Sequence, residues 1–355
     1  TFFMKYNKQI ILFTPSFLAN ENDTIVVPPI YLLAKELKKQ TDPSIKITVV
    51  SLHYPFTNKP YSVFNIDIHP IGAANCSYPK RLVYWFKAVR KIKALDQQLP
   101  IKMIHSFWLS ECAFLVERFV LWRKIPHLIS LMGQDALPSN NFLKHFKKPH
   151  YNLTTVCSFQ TGQLAKTNGL SPMATINWGV EIPFQQIQYK NIDILSVGSF
   201  IPLKRNDQVI EIIKYLESKF NLVFNVVMVG SGPLINEVKA STKALKSEVL
   251  FLSNLSNEQV FDLMRKSKVL VHPSEYEAGP MVAVEALNNS CFVVSKPVGM
   301  FSDINSPNWI AFNSVTEMAE QVNLLLDKKE FTPGSLPNFR TIGGKFIKLY
   351  SQLSP

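Results

Sequence analysis

Long apolar runs and cysteines are both scarce in this chain of 355 residues. No run of roughly 18 or more apolar residues occurs, so the sequence predicts no membrane-spanning helix. The apolar stretch at residues 10–13 is too short, and too soon followed by Pro15, for a secretion signal. The four cysteines are far apart: Cys76, Cys112, Cys157 and Cys291. Scattered thiols argue against a zinc site or a disulfide framework, so we expect a cytoplasmic protein without a metal site.

Charged residues make up 18% of the chain and hydrophobic residues 46%, which is typical of a compact globular protein. A chain of this length should form two domains, each able to bury its own core. The net charge of +12 is unevenly distributed: residues 1–187 contain 21 Lys and Arg against 10 Asp and Glu, whereas the remainder contains 17 against 16. The basic first half predicts an anionic partner for that half, which could be a membrane surface, a lipid-phosphate acceptor or nucleic acid.

Short apolar runs rich in β-formers alternate with helical patterns, which is typical of parallel α/β architecture. Strands are predicted at residues 10–13, 47–51, 103–105, 128–131, 154–157, 192–197, 224–229, 249–252, 269–271 and 292–295. Helices are predicted at residues 27–39 and 110–122, after a capping box at 256–259, and at 338–353. The polar stretch 183–190 is the best candidate for a linker. The sequence thus predicts two doubly wound, Rossmann-like domains that bind ligands at the carboxyl ends of their strands.

The most informative motif lies at residues 272–287. An apolar strand stops at Pro273, and Gly279 with the following proline opens a helix. The first amides of that helix, at Met281 and Val282, should be free donors at the positive end of the helix dipole. This arrangement predicts a binding site for a phosphate group.

Two carboxylates flank this predicted phosphate site. Glu277 lies in the loop before it, and Glu285 lies inside the apolar helix, where a carboxylate is costly unless it forms hydrogen bonds. A sugar nucleotide would offer a diphosphate to the amides and vicinal hydroxyls to the carboxylates; a solvated loop glutamate and a glutamate on a polar helix edge are the alternative. Two glutamates separated by seven residues across a strand–loop–helix junction resemble the donor-site signature of family-4 glycosyltransferases, which have the GT-B fold.

Residues 196–204 resemble the element of that family whose two cations bind the donor diphosphate. Lys204 matches the second cation, whereas Ser199 stands where the family usually has an arginine. Arg205 is adjacent and could supply the missing charge. For Lys204, a solvated surface lysine is the alternative interpretation.

Other segments resemble the same family less closely. Asn254 lies in a stretch similar to the loop that contacts the nucleobase through main-chain groups. In the first half, His105 is similar to a strand-end histidine of the family, although a buried core histidine is the alternative. Met132 replaces another histidine of the family, and the loop at residues 15–23 lacks its usual glycine pair.

The resemblance implies an α/β protein of GT-B fold, with two parallel-sheet domains facing a central cleft. Residues 1–183 would bind the acceptor, residues 184–336 the nucleotide-sugar donor, and a helix in residues 337–355 would cross back to the first domain. The implied reaction moves a sugar, with retention and without a metal or other cofactor, from a UDP- or GDP-linked donor to a hydroxyl of a glycan or lipid-linked acceptor. Bacterial cell-surface polysaccharide or glycoconjugate synthesis is the implied setting.

The resemblance also implies roles for individual residues. Lys204 and the helix start at Met281 and Val282, next to Gly279, would stabilise the departing diphosphate. Glu285 would hold the ribose hydroxyls; the candidate catalytic residues are Glu277, on the transferred sugar, and His105. The absence of an Asp-x-Asp triplet argues against the metal-dependent glycosyltransferases of the other common fold. A non-catalytic sugar-nucleotide-binding or scaffold subunit remains an alternative, as does an epimerase or phosphorylase of the same fold.

A predicted helix at residues 80–93 combines basic and aromatic residues. Its apolar residues, which include Trp85 and Phe86, recur at helical spacing, with Lys87, Arg90 and Lys91 on the other sides. Basic residues and interfacial aromatics on one helix suit an anionic membrane, so we expect peripheral binding to the inner face of the membrane. An ordinary surface helix packed by its apolar stripe is the alternative, and no nucleic-acid-binding module surrounds it.

Overall fold

The computed structural model describes residues 6–23, 28–73, 76, 78–146, 151–181, 189–328, 330–332 and 334–354. The chain divides into two compact units, one made of Thr1–Trp178 with Pro337–Pro355 and the other of Gly179–Leu336. Each unit is a mostly parallel sheet covered by helices, so the predicted architecture of two doubly wound α/β domains is confirmed. Most of the predicted linker at residues 183–190 lies outside the described residues. In the described part of the chain, no helix is both long and apolar enough to cross a membrane.

The first unit begins with a strand, a helix and a strand, and it ends with a helix from the C-terminus of the chain. Its strands are β1 (Lys8–Ser16), β2 (Ile45–Tyr54), β3 (Tyr61–Val63), β4 (Ile66–Pro70), β5 (Ile101–Phe107), β6 (His127–Ser130), β7 (Asn152–Thr155) and β8 (Ala174–Thr175). Its helices are α1 (Pro28–Gln40), α2 (Tyr78–Gln98), α3 (Glu111–Arg123), α4 (Ser158–Asn168) and α10 (Phe339–Leu353).

Within the described residues, the first sheet has eight strands in the order β3-β4-β2-β1-β5-β6-β7-β8. The central strand β1 is apolar on both faces because helices cover both sides of a parallel sheet, and six consecutive residues of it are buried. The short strand β3 pairs antiparallel with β4, and the sequence analysis missed both of these strands. Their brevity and mixed polarity left no clear periodicity, since strands of three to five residues carry little pattern.

The second unit contains strands β9 (Ile192–Val197), β10 (Asn225–Val229), β11 (Glu248–Leu252), β12 (Ser267–His272), β13 (Phe292–Ser295) and β14 (Trp309–Ala311). Its helices are α5 (Asn206–Phe220), α6 (Ile235–Ser241), α7 (Asn257–Lys266), α8 (Met281–Asn288) and α9 (Val315–Leu326). The described strands form one parallel sheet in the order β11-β10-β9-β12-β13-β14. The predicted capping box opens α7, where the Ser256 and Gln259 side chains bond each other's backbone amides.

Helix α10 belongs to the first unit although it follows the second in sequence. Asn338 caps its start by accepting a hydrogen bond from the amide of Thr341. Its apolar face is buried, and Phe339 stacks on Trp178 with ring centroids 6.0 Å apart. An amphipathic helix without such a partner surface would expose this face to water, so burial of the aromatic residues fixes α10 in place.

Candidate functional site

The strand order of the second sheet brings two predicted site residues together. From β9 the chain runs outward through β10 and β11, then returns to place β12 on the other side of β9. Such a reversal leaves a crevice at the carboxyl ends of the two central strands, where open α/β sheets bind their ligands. Lys204 follows β9 and Glu277 follows β12, and the Lys204 ammonium forms an ion pair with Glu277 Oε1.

Backbone contacts hold the loops that carry these two residues. The amide of Glu275 donates to the carbonyl of Leu203 at 2.9 Å, which joins the loop after β12 to the short 3-10 turn that ends at Lys204. Gly299, after β13, adopts a φ of +65°, and a Cβ there would lie 2.7 Å from Pro280 Cδ and 3.0 Å from Glu277 Cβ. The Glu277 loop therefore requires glycine at position 299.

A third residue, His272, completes the environment of Glu277. The His272 Nε2 atom lies 2.9 Å from Glu277 Oε1, the same oxygen that binds Lys204. Burial alone would raise the pKa of Glu277, but the hydrogen bond from His272 and the Lys204 charge outweigh it and lower that pKa to about 2. In the described part of the chain the other oxygen, Oε2, has no hydrogen-bond partner. Glu277 is thus a fixed carboxylate with one free acceptor oxygen.

Glu285 differs from Glu277 in its electrostatics. It lies in the second turn of α8, and no described side chain bonds its carboxylate. Burial without a partner raises the pKa of Glu285 to about 7. A ligand with hydroxyl groups would supply the hydrogen bonds that the described residues do not.

Replacing Glu285 with glutamine should flatten the pH dependence of folding stability. Since the folded pKa is about 7 against an ordinary 4.5, the folded state binds this proton more tightly. The associated stability is fully present below pH 4.5 and lost as the pH rises through 7. Denaturant unfolding at pH 5 and pH 8 should show that wild type loses up to about 3 kcal/mol more than Glu285→Gln. Glu237→Gln, at an exposed helix position, should behave as wild type; equal pH dependence in all three proteins would contradict the burial argument.

The first turn of α8 differs in one respect from the sequence expectation. The amide of Met281 is not a free donor, because it bonds the carbonyl of Gly279 at 2.7 Å. The amide of Ala283 donates to the carbonyl of Pro280 at 3.0 Å. Within the described residues, the amide of Val282 is left without a backbone acceptor at this helix start. The predicted phosphate-binding site therefore has one free amide, that of Val282, instead of two consecutive ones.

Three further predicted residues lie in loops of the second unit: Ser199 and Arg205 follow β9, and Asn254 follows β11. Ser199 is exposed, and its carbonyl accepts a hydrogen bond from the Asn206 side chain at 3.0 Å. Arg205 does not supply the charge missing at Ser199, because its guanidinium binds Asp207 at 2.8 Å and Glu275 at 2.7 Å. Asn254 is exposed in the loop after β11 with a φ of 57°.

His105, a candidate catalytic residue, lies in the core of the first unit. It is fully buried, and its ring nitrogens are hydrogen-bonded to Tyr350 Oη and Ser130 Oγ, each at 2.7 Å. Burial lowers the pKa of His105 well below its ordinary value, so the ring is neutral. With no exposed surface and no free nitrogen, His105 cannot contact a substrate in this structure. It joins β5 to α10, which corrects the catalytic prediction.

The Met132 segment also has a packing role. Asp135 is buried, and its carboxylate accepts hydrogen bonds from the amides of Leu109 at 2.8 Å, Met132 at 3.0 Å and Gly133 at 2.7 Å. These bonds hold the loop after β6 against the loop after β5. The aspartate therefore shapes two loops at the carboxyl edge of the first sheet, and Met132 contributes its backbone.

The sequence analysis assigned no role to His272 or Gly299. A polar residue at the end of an otherwise apolar buried strand was the available signal for His272, since buried polar groups need partners. Nothing local marks Gly299, because its partner loop lies about twenty residues earlier in sequence. Among the described residues, no group of three or more His, Cys, Asp or Glu side chains is placed to hold a metal ion.

The sequence is similar to those of known proteins. Residues 181–333 match the profile of the family described as glycosyl transferases group 1. An uncharacterized glycosyltransferase of Methanocaldococcus jannaschii is 28% identical over 294 residues, which are 76% of this chain and 81% of that protein. The capsular polysaccharide biosynthesis glycosyltransferase CapH of Staphylococcus aureus is 25% identical over 138 residues, which are 37% of this chain and 38% of that protein.

The fold is also that of known glycosyltransferases. The crystal structure of HepE from Anabaena, in complex with UDP and glucose, superposes with a TM-score of 0.70 at 14% identity and covers 97% of this chain and 100% of that one. At this identity the likeness concerns the fold alone. The two parallel-sheet α/β units are those of the GT-B fold, as the sequence motifs predicted.

Proposed function

We propose that this protein transfers a sugar from a nucleotide-sugar donor to a hydroxyl group of a glycan or lipid-linked acceptor. The observation that carries the proposal is the Lys204–Glu277–His272 group at the switch point of the second sheet. It presents a cation beside a carboxylate whose second oxygen has no hydrogen-bond partner among the described residues. A donor diphosphate and a sugar hydroxyl are the ligands that such a pair suits.

Each residue has a distinct part in this proposal. The Lys204 ammonium and the Val282 amide would stabilise negative charge on the departing nucleoside diphosphate. Glu277 Oε2 would accept a hydrogen bond from a hydroxyl of the transferred sugar. Glu285 would accept from the ribose hydroxyls, with loss of its proton on donor binding.

In the reaction the bond between the anomeric carbon and the diphosphate oxygen breaks, and the diphosphate keeps the electron pair. The acceptor oxygen forms the new bond to the anomeric carbon, and its proton passes to the departing diphosphate. We propose that configuration is retained, and no side chain of the protein is assigned as a nucleophile. Lys204 would lower the barrier by binding the leaving group more strongly as its charge develops.

The relatives support a role for the product in cell-surface polysaccharide or glycoconjugate synthesis. CapH is named for capsular polysaccharide biosynthesis, and HepE is bound to UDP and glucose. A UDP-linked hexose is therefore the first donor to test, followed by GDP-linked sugars. The loop after β11 lies beside a cavity of about 440 Å³ whose wall combines three leucines, Leu252, Leu255 and Leu263, with the polar and charged residues Glu258, Gln259, Asp262 and Arg265. A nucleobase, which has apolar faces and polar edges, is a ligand of matching character.

A panel of nucleotide sugars scored by thermal shift tests the donor proposal. A donor that binds the folded state raises its melting temperature as its concentration rises. Release of nucleoside diphosphate that depends on an added glycan acceptor then shows transfer. A donor that binds without any turnover would favour a non-catalytic sugar-nucleotide-binding subunit. If no nucleotide sugar raises the melting temperature, both the transferase hypothesis and the binding-subunit hypothesis are wrong.

Turnover of the identified donor should survive an excess of EDTA. The expectation rests on Lys204 and the Val282 amide, which supply counter-charge for the diphosphate. Diphosphate release should be measured before and after EDTA treatment, and again after magnesium or manganese is restored. Activity that disappears with EDTA and returns with either metal would contradict this assignment of the counter-charge.

A further inference from the structure

Helix α2 is the most basic element of the first unit. It contains six basic residues and one acidic residue, Asp96, over Tyr78–Gln98. The buried side of the helix is apolar and includes Ala88, Ile92 and Leu95, which join the core beneath the sheet. The cations therefore lie on the flanks and outer face, and the proposed donor site makes no use of them.

Three of these cations gather around one cavity. Lys87, Arg90 and Lys91 line a cavity of about 280 Å³ together with Ala94 of the same helix and Asn58, Pro70 and Ile71 from the sheet edge. Within the described residues, none of the three cations forms an ion pair with a carboxylate. His69 directly precedes Pro70 of the cavity wall in sequence; burial and, to a smaller extent, the positive charge of Lys91 lower its pKa, while Asp67 acts in the opposite direction.

Large apolar side chains lie exposed on the same helix. Leu82, Val83 and Phe86 are 48%, 55% and 68% exposed. The sequence analysis grouped Trp85 with Phe86, but Trp85 is half-buried and packs against Phe114, with ring centroids 5.8 Å apart. The exposed apolar group is therefore Leu82, Val83 and Phe86. In sequence, Phe86 is followed at once by Lys87, which lines the cavity.

We propose that the α2 cavity binds the phosphate headgroup of an anionic lipid while Leu82, Val83 and Phe86 enter the bilayer. Unpaired cations around a cavity favour a phosphate-bearing ligand. The adjacent exposed apolar side chains select a bilayer over nucleic acid, because a nucleic acid offers them no apolar phase. Snorkelling lysines beside interfacial aromatics are typical of helices that lie on a membrane surface.

Sedimentation with vesicles of phosphatidylglycerol, compared with phosphatidylcholine, tests the proposal on the whole chain. Wild type should sediment with phosphatidylglycerol and much less with phosphatidylcholine. Lys87→Gln/Lys91→Gln should weaken binding by about tenfold or more, since each cation near an anionic surface contributes strongly. Phe86→Ser should weaken it as well, with the remaining binding more easily removed by salt.

A matched variant separates the cavity from net charge. Lys80→Gln/Lys93→Gln removes the same two charges from exposed positions of α2 that do not line the cavity. This variant should weaken vesicle binding by less than about threefold. Equal loss in both double variants would overturn the cavity proposal and leave a general charge effect. The melting temperature should be unchanged in both double variants, because the four substituted lysines form no ion pairs among the described residues.

Two further measurements distinguish the source of the phosphate. Soluble glycerol phosphate, at the same phosphate concentration as the vesicles, should displace little protein, because it offers no bilayer to the apolar side chains. Complete displacement by it would identify a free phosphate ligand and overturn the lipid proposal. Tighter binding to a DNA duplex than to the vesicles would overturn it in favour of nucleic acid.

Discussion

Lys204→Ala should reduce kcat/KM for sugar transfer by about 100- to 1000-fold, the usual effect of removing one charged group that stabilises a transition state. The ammonium lies in the crevice at the ends of β9 and β12 and binds only one oxygen of Glu277. In the described part of the chain its remaining N–H donors have no acceptor, so they are available to a leaving diphosphate. The measurement is nucleoside diphosphate release with the donor found by thermal shift, together with titration of the free nucleoside diphosphate by calorimetry.

The chain provides a matched control for this substitution. Lys268 pairs with Asp193 at 2.8 Å, and both residues lie at the opposite, amino ends of the same two strands. Lys268→Ala breaks an ion pair of similar exposure, and such partly exposed pairs contribute about 1 kcal/mol or less to stability. Because Lys268 lies at the opposite end of the strands from the crevice, this variant should keep kcat/KM within about threefold of wild type. If Lys204→Ala and Lys268→Ala have equal kcat/KM while both remain folded, Lys204 has no part in the reaction.

The site in the second unit was predictable because its chemistry is local in sequence. Glu277 and Glu285 belong to one strand–loop–helix segment, and Lys204 follows the first strand of its sheet, so strand order alone brings it to Glu277. The other features of the site depend on local backbone conformation and on contacts between residues that are distant in sequence. The hydrogen bond from the Met281 amide to the Gly279 carbonyl depends on the backbone conformation at Pro280. The ion pair that occupies the Arg205 guanidinium depends on Glu275, about seventy residues later.

His105 shows the same limit in the first unit. The sequence places it at the end of a buried strand, where a catalytic and a packing histidine look alike. Its partner Tyr350 lies 245 residues later, on a helix that returns to the first unit after the whole of the second. No periodicity or motif connects the two residues, so burial of both was knowable only from the folded chain.

His105→Ala should therefore destabilise the first unit by about 3–5 kcal/mol, because it opens a cavity and leaves the hydroxyls of Ser130 and Tyr350 short of a partner. Native-state hydrogen exchange of the amides in β5 and α10 measures this free energy of opening without interference from the second unit. Tyr350→Phe removes only one hydrogen bond of the same network and should cost about 1–2 kcal/mol.

The packing role also predicts what should stay constant. In His105→Asn, studied at low temperature where the protein remains folded, kcat should lie within about threefold of wild type while exchange in α10 accelerates, since a residue outside the reaction changes the folded population and not the transition state. A fall in kcat of about 100-fold with unchanged exchange would be the signature of an acid–base catalyst. It would return His105 to the catalytic role that the sequence first indicated, and the hydrogen bond to Tyr350 would then have to open in the working enzyme.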